Sequence, residues 1–178
     1  MQRRVRIEPP SPRWQGEFLD AARRSRKLHH PWITAPTRPA EFAVYLERRA
    51  AANSPGYLVV DRASGRLAGV VHLNEVVRGA FQSAFLAYYG FAPFAGRGLM
   101  SDGLALAITD AFRRLRLHRL EANIQPANTR SIALVERAGF RFEGLSPRYL
   151  KIAGRWRDHE RWALLAEDWR PGRRGSRA

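Results

Sequence analysis

The chain has 178 residues, of which 45% are hydrophobic and none is cysteine. This size suits one globular domain with its own core, and the absence of thiols excludes disulfides, zinc–thiolate sites and a cysteine nucleophile. Lys and Arg outnumber Asp and Glu by 31 to 16, and the resulting charge of +15 favours polyanionic partners such as nucleic acid, ribosomes or phosphorylated cofactors.

The first third of the chain predicts one short strand and two helices. The strand covers residues 4–9 and is followed by a proline-rich break. Apolar residues at helical spacing predict a helix over 13–28, with basic residues near its C-terminal end, where the helix dipole favours cations. A second helix is predicted over 40–52.

The middle of the chain alternates between strand and helix signals. Residues 57–61 and 66–77 flank a glycine-containing turn and predict a hairpin. A further strand is predicted over 83–92. An apolar stripe at helical spacing then predicts an amphipathic helix over 98–116.

The last third predicts three strands around one helix. Residues 118–125 alternate between apolar and polar, which is typical of a half-buried strand. A helix begins at Asn128 and stops at Gly139, and two strands follow over 141–152 and 156–165. We therefore expect one mixed α/β domain over residues 1–170.

The glycine pair Gly96 and Gly98 lies between a predicted strand and a predicted helix. Glycines at a helix start let an anion approach the backbone amides, where the helix dipole adds partial positive charge. The loop has neither the third glycine of a dinucleotide fingerprint nor the Lys-Ser/Thr pair of a P-loop. The alternative is a loop whose glycines only allow a tight turn.

Two polar residues, Asn128 and Ser131, open the later helix. Asn128 is a typical N-cap, and Ser131 can hydrogen-bond the local backbone. If the strands 83–92 and 118–125 are neighbours, both helix starts lie at the same end of the sheet. A phosphate could then bind at the first helix, and a linear amide-bearing chain could run between the strands.

These segments resemble the GNAT N-acetyltransferase superfamily. Residues 93–98 (Pro-Phe-Ala-Gly-Arg-Gly) are similar to its loop Gln/Arg-x-x-Gly-x-Gly/Ala, except at the first position. The segment from Asn128 and Ser131 to Gly139-Phe140 is similar to its Asn-x-x-Ala/Ser…Gly-Phe helix. Over roughly 57–172, order and spacing resemble the ribosomal-protein alanine N-acetyltransferases, including Gly-Arg-Trp-Arg-Asp-His at 154–159.

The resemblance implies a single GNAT-type domain with helices flanking a mixed, mostly antiparallel sheet that is splayed between its central strands. It implies acetyl-CoA as the co-substrate, bound in the splay. No metal is expected, because the five histidines show no metal-ligand spacing. The pyrophosphate would accept hydrogen bonds from the amides of four loop residues: Gly96, Arg97, Gly98 and Leu99. Asn128 would contact the pantetheine arm. The implied acceptor is a protein N-terminal amine, in particular the alanine of a ribosomal protein.

Direct attack of the amine on the thioester is the expected chemistry, since cysteine is absent. Ser131 is the candidate acid for the leaving thiolate, because Val135 occupies the position where the family often has tyrosine. Glu121 is the candidate base, although it also suits the polar face of a strand. An α-amine has a pKa of about 7.7–8.0, so a weak base or a water chain suffices.

Two other functions fit the same sequence. One is a GNAT enzyme that acetylates a small amine such as a polyamine, and the other is a non-catalytic protein whose basic surface contacts RNA or the ribosome. The sequence has no apolar run of about 18 residues, and its N-terminus lacks the apolar segment of a secretory signal. We expect a cytoplasmic protein without membrane contact, and a flexible basic tail over 171–178.

Overall fold

A seven-stranded sheet forms the centre of the molecule. The computed structural model describes residues 4–170. The strands are β1 (Val5–Glu8), β2 (Gly56–Asp61), β3 (Leu67–Val77), β4 (Ser83–Gly90), β5 (Arg119–Ile124), β6 (Arg141–Ile152) and β7 (Arg155–Leu165). The helices are α1 (Gln15–Arg24), α2 (Arg26–His29), α3 (Pro39–Ala50), α4 (Leu99–Arg113) and α5 (Thr129–Arg137), with a 3-10 turn at Pro12–Trp14 before α1.

The sheet has the strand order β1-β2-β3-β4-β5-β7-β6. The pairing of β4 with β5 is parallel, and the other five pairings are antiparallel. Parallel pairing covers Ser83 to Phe85 opposite Arg119 to Glu121, after which the two strands separate. The predicted fold class, a mixed and mostly antiparallel sheet splayed between its central strands, is confirmed.

Helices cover the two faces of the sheet with separate cores. On one face α4 and α5 pack on residues such as Leu120 and Ile124 of β5. On the other face α1 and α3 pack on the strands β2 and β3, with Phe18 and Phe42 fully buried. The alternation predicted for residues 118–125 is confirmed, because Leu120, Ala122 and Ile124 are its buried residues.

The prediction of one continuous helix over 13–28 is wrong. Residues 12–14 form a 3-10 turn, and Ser25 separates α1 from α2. The Ser25 hydroxyl donates to the Ala21 carbonyl at 2.6 Å and accepts from the Ala92 amide at 2.9 Å. Serine that bonds the backbone in this way competes with helix geometry. Here it ties the helix to the segment that follows β4.

Helix α4 lies very close to the sheet at Gly103. A Cβ at this position would come within 2.6 Å of both γ-carbons of Val59, a fully buried residue of β2. Any side chain larger than hydrogen therefore has to move the helix or the strand. The close contact fixes α4, and with it the loop that leads into α4, against the centre of the sheet.

We expect Gly103→Ala to lower the free energy of unfolding by about 1–3 kcal/mol, because overpacking outweighs the gain in helix propensity. Gly16→Ala is the matched control, since a Cβ at Gly16 in α1 meets nothing within 4 Å. The control should be neutral or stabilising by up to about 1 kcal/mol. Urea unfolding measures both variants, and equal effects would contradict the close packing at Gly103.

Within residues 4–170, no helix is both long and apolar enough to cross a membrane. In the same part of the chain, no three His, Asp or Glu side chains are grouped as metal ligands would be. The basic tail predicted over 171–178 lies outside the described residues.

Candidate active site

The separation of β4 from β5 opens a gap in the middle of the sheet. Beyond Phe85, β4 stays paired with β3 as far as Gly90. Beyond Glu121, β5 stays paired with β7 as far as Ile124. The backbone groups on the facing edges thus have no strand partner across the gap in the described chain. Buried backbone groups need partners, and an extended molecule with amide groups can supply them.

The glycine loop lies beyond the C-terminal end of β4 and begins α4. Gly96 and Gly98 both have φ of +77°, in the left-handed region that favours glycine. Gly98 is the N-cap of α4 and has no side chain to satisfy the first amides of the helix. The first N–H groups of a helix have no partner within it. This end of α4 therefore offers N–H donors to an anion.

Arg4, which lies just before β1, holds the loop in place through hydrogen bonds. Its guanidinium donates to the carbonyl oxygens of Arg97 at 3.1 Å and Gly98 at 3.4 Å, and its Nε donates to Asp102 at 2.8 Å. The contacts hold the loop carbonyls away from the anion side and neutralise the Asp102 carboxylate in the first turn of α4. No sequence motif indicated Arg4, because 94 residues separate it from Gly98.

Further arginines surround the same loop. The guanidinium of Arg97 lies 5.7 Å from the centre of the Phe94 ring, and that of Arg66 lies 6.0 Å from the same ring. An open cavity of about 250 Å³ lies beside them, lined by Arg24, Arg66, Ala92 and Pro93. The predicted anion loop thus lies in a positively charged environment that supports phosphate binding.

The start of α5 lies on the other side of the gap. Asn128 is its N-cap, and the Asn128 Oδ1 accepts from the Ser131 amide at 3.3 Å. The Ser131 hydroxyl is left for a different contact, since its Oγ lies 2.7 Å from the Tyr88 hydroxyl. Tyr88 belongs to β4 and also donates to the Ser131 carbonyl at 3.0 Å. This pair bridges the gap from β4 to α5.

Tyr88 is a proton donor rather than an anion in this position. Burial raises the pKa of its hydroxyl to about 12, although the hydrogen bond with Ser131 acts in the opposite direction. The phenol therefore stays protonated at neutral pH. Sequence reasoning identified Ser131 but not its partner, because the contact depends on the separation of the strands and not on a motif.

The structure places Glu121 at the last paired position before the gap. Its Oε1 accepts from the Nε of Arg119 at 2.8 Å, and Arg119 also forms an ion pair with Glu143. The Oε1 of Glu121 is therefore engaged with Arg119. The role of Glu121 as a base stays a prediction, as does the alternative of a weak base or a water chain.

A buried polar cluster lies between α3 and β3, on the face covered by α1 and α3. The Tyr45 hydroxyl lies 3.1 Å from the Nε2 of His72, and Arg49 donates to the Oδ1 of Asn74 at 2.9 Å. Burial, together with the nearby charges of Arg49 and Arg48, lowers the pKa of His72 to about 3. His72 is therefore a neutral hydrogen-bonding residue that helps to hold α3 on the sheet.

The neutral His72 makes stability depend on pH. Its pKa rises from about 3 in the folded chain to 6.5 after unfolding, so the unfolded chain binds the proton more tightly below pH 6.5. Above pH 6.5, His72 is neutral in both states and does not lower the free energy of unfolding. As the pH falls below 6.5, the free energy of unfolding decreases. Between pH 6 and 4, we expect wild type to lose up to about 1.4 kcal/mol per pH unit more than His72→Gln. Urea unfolding at several pH values measures this, and parallel curves would contradict a neutral buried His72.

The acetyltransferase (GNAT) domain family matches residues 4–141, and the chain belongs to this family. Over 105 residues it is 44% identical to the ribosomal protein uS5-alanine N-acetyltransferase of Escherichia coli, a match covering 59% of this chain and 54% of that protein. It is 41% identical over 103 residues to the probable N-acetyltransferase YjcK of Bacillus subtilis, covering 58% and 57%. The matched region thus spans little more than half the length of these curated relatives.

Solved structures agree with the fold. RimJ of Mycobacterium smegmatis in complex with CoA-disulfide is 28% identical, with a TM-score of 0.84 over 92% of this chain and 82% of that one. Spermidine N-acetyltransferase of Vibrio cholerae in complex with CoA and spermine is 20% identical, with a TM-score of 0.77 over 93% and 97%. At that identity, the second likeness concerns the fold alone.

The predicted site residues fall into two groups that flank the gap. The loop residues Gly96, Arg97, Gly98 and Leu99 follow β4, and Asn128 and Ser131 follow β5. Because β4 and β5 are parallel, both helix starts lie at the same end of the sheet, as the sequence predicted. Glu121 lies apart from both groups, at the base of the gap.

Proposed function

We propose that this chain transfers an acetyl group from acetyl-CoA to the α-amine of a protein N-terminus that begins with alanine, such as that of a ribosomal protein. The observation that carries the proposal is the 44% identity to the uS5-alanine N-acetyltransferase. The splayed sheet supports it, because the gap between β4 and β5 suits a thioester at the end of a long amide-bearing arm.

The cofactor is held on both sides of the gap. The amides of Gly96, Arg97, Gly98 and Leu99 donate to the pyrophosphate, and the left-handed glycines support this by keeping side chains out of its way. Asn128 contacts the pantetheine arm at the start of α5. A Cβ at Gly98 would lie 3.0 Å from the Arg4 guanidinium. A side chain there would therefore disturb the contacts of Arg4 with the loop, and through them the anion site. No metal is required.

The reaction is a direct displacement. The neutral amine attacks the thioester carbon, a C–N bond forms, and the C–S bond breaks. The amine loses one proton and the departing CoA thiolate gains one, so the products are an N-acetyl amide and CoA thiol. Holding the two reactants in line supplies much of the rate enhancement. An α-amine with a pKa of about 7.7–8.0 is partly neutral at physiological pH, which suits a site whose Glu121 is held in an ion pair.

Ser131 donates the proton to the leaving thiolate in this mechanism. The contact with Tyr88 supports the role, because the Tyr88 hydroxyl lies 2.7 Å from the Ser131 Oγ and stays protonated. As the serine proton passes to the sulfur, the phenol can turn from the Ser131 carbonyl to donate to the Oγ. Capping of α5 does not need the serine hydroxyl, since Asn128 supplies the cap.

We expect Ser131→Ala to lower kcat about 100-fold, with less than a threefold change in the KM for acetyl-CoA. Thr129→Ala is the control, since Thr129 is exposed at the same helix start and should leave kcat unchanged. Steady-state kinetics of CoA release with a saturating peptide measures both. An unchanged kcat in Ser131→Ala would remove the serine from the chemistry.

The acceptor is tested with three peptides at equal concentration: one beginning with alanine, one beginning with tryptophan, and one with a blocked N-terminus and an internal lysine. We expect the alanine peptide to react fastest. The lysine amine, with a pKa near 10.4, is almost fully protonated at pH 7.5. Faster turnover of the lysine peptide, or of spermidine, would contradict the proposed acceptor.

The excess of 31 basic over 16 acidic residues supports contact with ribosomal RNA near such an acceptor. A ribosomal substrate and a cysteine-free chain both favour action in the cytoplasm. Salt-sensitive RNA binding without any turnover of acetyl-CoA would instead support a non-catalytic RNA-binding role.

A further inference from the structure

Two polar atoms beside the gap are buried and have no hydrogen-bond partner. They are the side-chain oxygen Oδ1 of Asn123 on β5 and the Nε of Arg161 on β7. The two residues lie directly opposite each other in the antiparallel pairing of these strands. A buried donor or acceptor without a partner is costly, and in a native structure it calls for an explanation.

Both residues face the side of the sheet away from α4 and α5. Their neighbours Ala122 and Trp162, which are also directly opposite each other, are buried in the core under α4 and α5. Successive side chains on a strand point to opposite faces, so Asn123 and Arg161 share the other face. Asn123 lies two residues beyond Glu121, the last residue of β5 that pairs with β4. The unpartnered pair therefore adjoins the gap.

We infer that Asn123 and Arg161 bind the first residue of a peptide acceptor, with the amide oxygen accepting from the α-amine and the guanidinium donating to the first peptide carbonyl. This inference rests on the proposed function for the position of the thioester. A hydrogen bond from the amine to Asn123 Oδ1 leaves the nitrogen lone pair free for attack.

The chemistry of the pair matches a peptide N-terminus and not a polyamine. A peptide N-terminus carries a donor, the amine, and an acceptor, the carbonyl, within a single residue. Directly opposite residues have Cβ atoms about 4.5–5.5 Å apart, which suits two groups so close together. A polyamine has no carbonyl, and its remaining charged nitrogens would be repelled by Arg161.

The surrounding charges do not offer a cationic acceptor a free carboxylate. Glu143 is close enough for Arg161 to help lower its pKa, but Arg119 is the first cause of that shift and donates to both oxygens of Glu143. Arg119 also holds Glu121. Arg161 therefore keeps hydrogen-bonding capacity for a neutral carbonyl, while the carboxylates next to it are engaged.

The test compares the alanine peptide with the same peptide in which an (E)-alkene replaces the first peptide bond. The alkene removes the carbonyl and adds no charge. For wild type, we expect kcat/KM to be about 10- to 100-fold higher with the peptide, the range of one hydrogen bond to a charged group. Spermidine should be a poorer acceptor than either.

Arg161→Met removes the donor and keeps an apolar stem. It should lower kcat/KM for the alanine peptide at least tenfold and change that for the alkene peptide less than twofold. Asn123→Leu should lower kcat/KM for both acceptors, because both carry the amine. Arg157→Met is the matched control, since it removes one exposed positive charge from the same face of β7, and it should change kcat/KM less than twofold.

Acetyl-CoA affinity, measured by calorimetry, should be the same in wild type and all three variants, and thermal unfolding confirms that each variant folds. Equal losses in Arg161→Met and Arg157→Met, or equal use of the peptide and alkene acceptors by wild type, would overturn the inference while leaving the acetyltransferase proposal intact. Failure of wild type to acetylate any amine would overturn both.

Discussion

The early end of parallel pairing between β4 and β5 is the constraint on which the rest of the site depends. Three residues of each strand pair, from Ser83 and from Arg119, and then the strands separate. Each strand remains held by its other neighbour, β3 or β7, so the sheet stays intact while a gap opens at its centre. Unpaired backbone edges in a sheet interior are costly unless something satisfies them. Here the same edges serve as a binding surface for an extended, amide-bearing molecule.

The elements around the gap are arranged to keep it open and charged. Gly103 lets α4 lie against Val59, which fixes the helix whose N-terminus faces the gap. Arg4 holds the carbonyls of the loop and neutralises Asp102, so the amides of the helix start meet little opposing charge. Across the gap, Tyr88 reaches Ser131 and sets the distance between β4 and α5. Cofactor binding and proton donation thus depend on the same few contacts.

The sequence predicted the strands and most helices because their hydrophobic periodicity is strong, as the alternation along β5 illustrates. It missed the break at Ser25, where a side chain bonds to a segment 67 residues away. Local motifs located the glycine loop, Asn128 and Ser131. They could not reveal Arg4, Asn123 or Arg161, or the contact of Tyr88 with Ser131, because these depend on contacts, or missing contacts, between distant parts of the chain. Glu121 was predicted from its strand position alone, and its ion pair with Arg119 was invisible in the sequence.

The most direct test of the binding gap is amide hydrogen exchange with and without acetyl-CoA. We expect the cofactor to slow exchange by at least tenfold at the gap-facing amides among residues 86–90 of β4 and at residues 98–101 at the start of α4, and to leave β1 and β2 unchanged. Gly98→Val should abolish this protection, because a side chain there would displace the Arg4 guanidinium that holds the loop and is strained at a φ of +77°. Protection elsewhere in wild type, or unchanged protection in Gly98→Val, would contradict a cofactor site between β4 and β5.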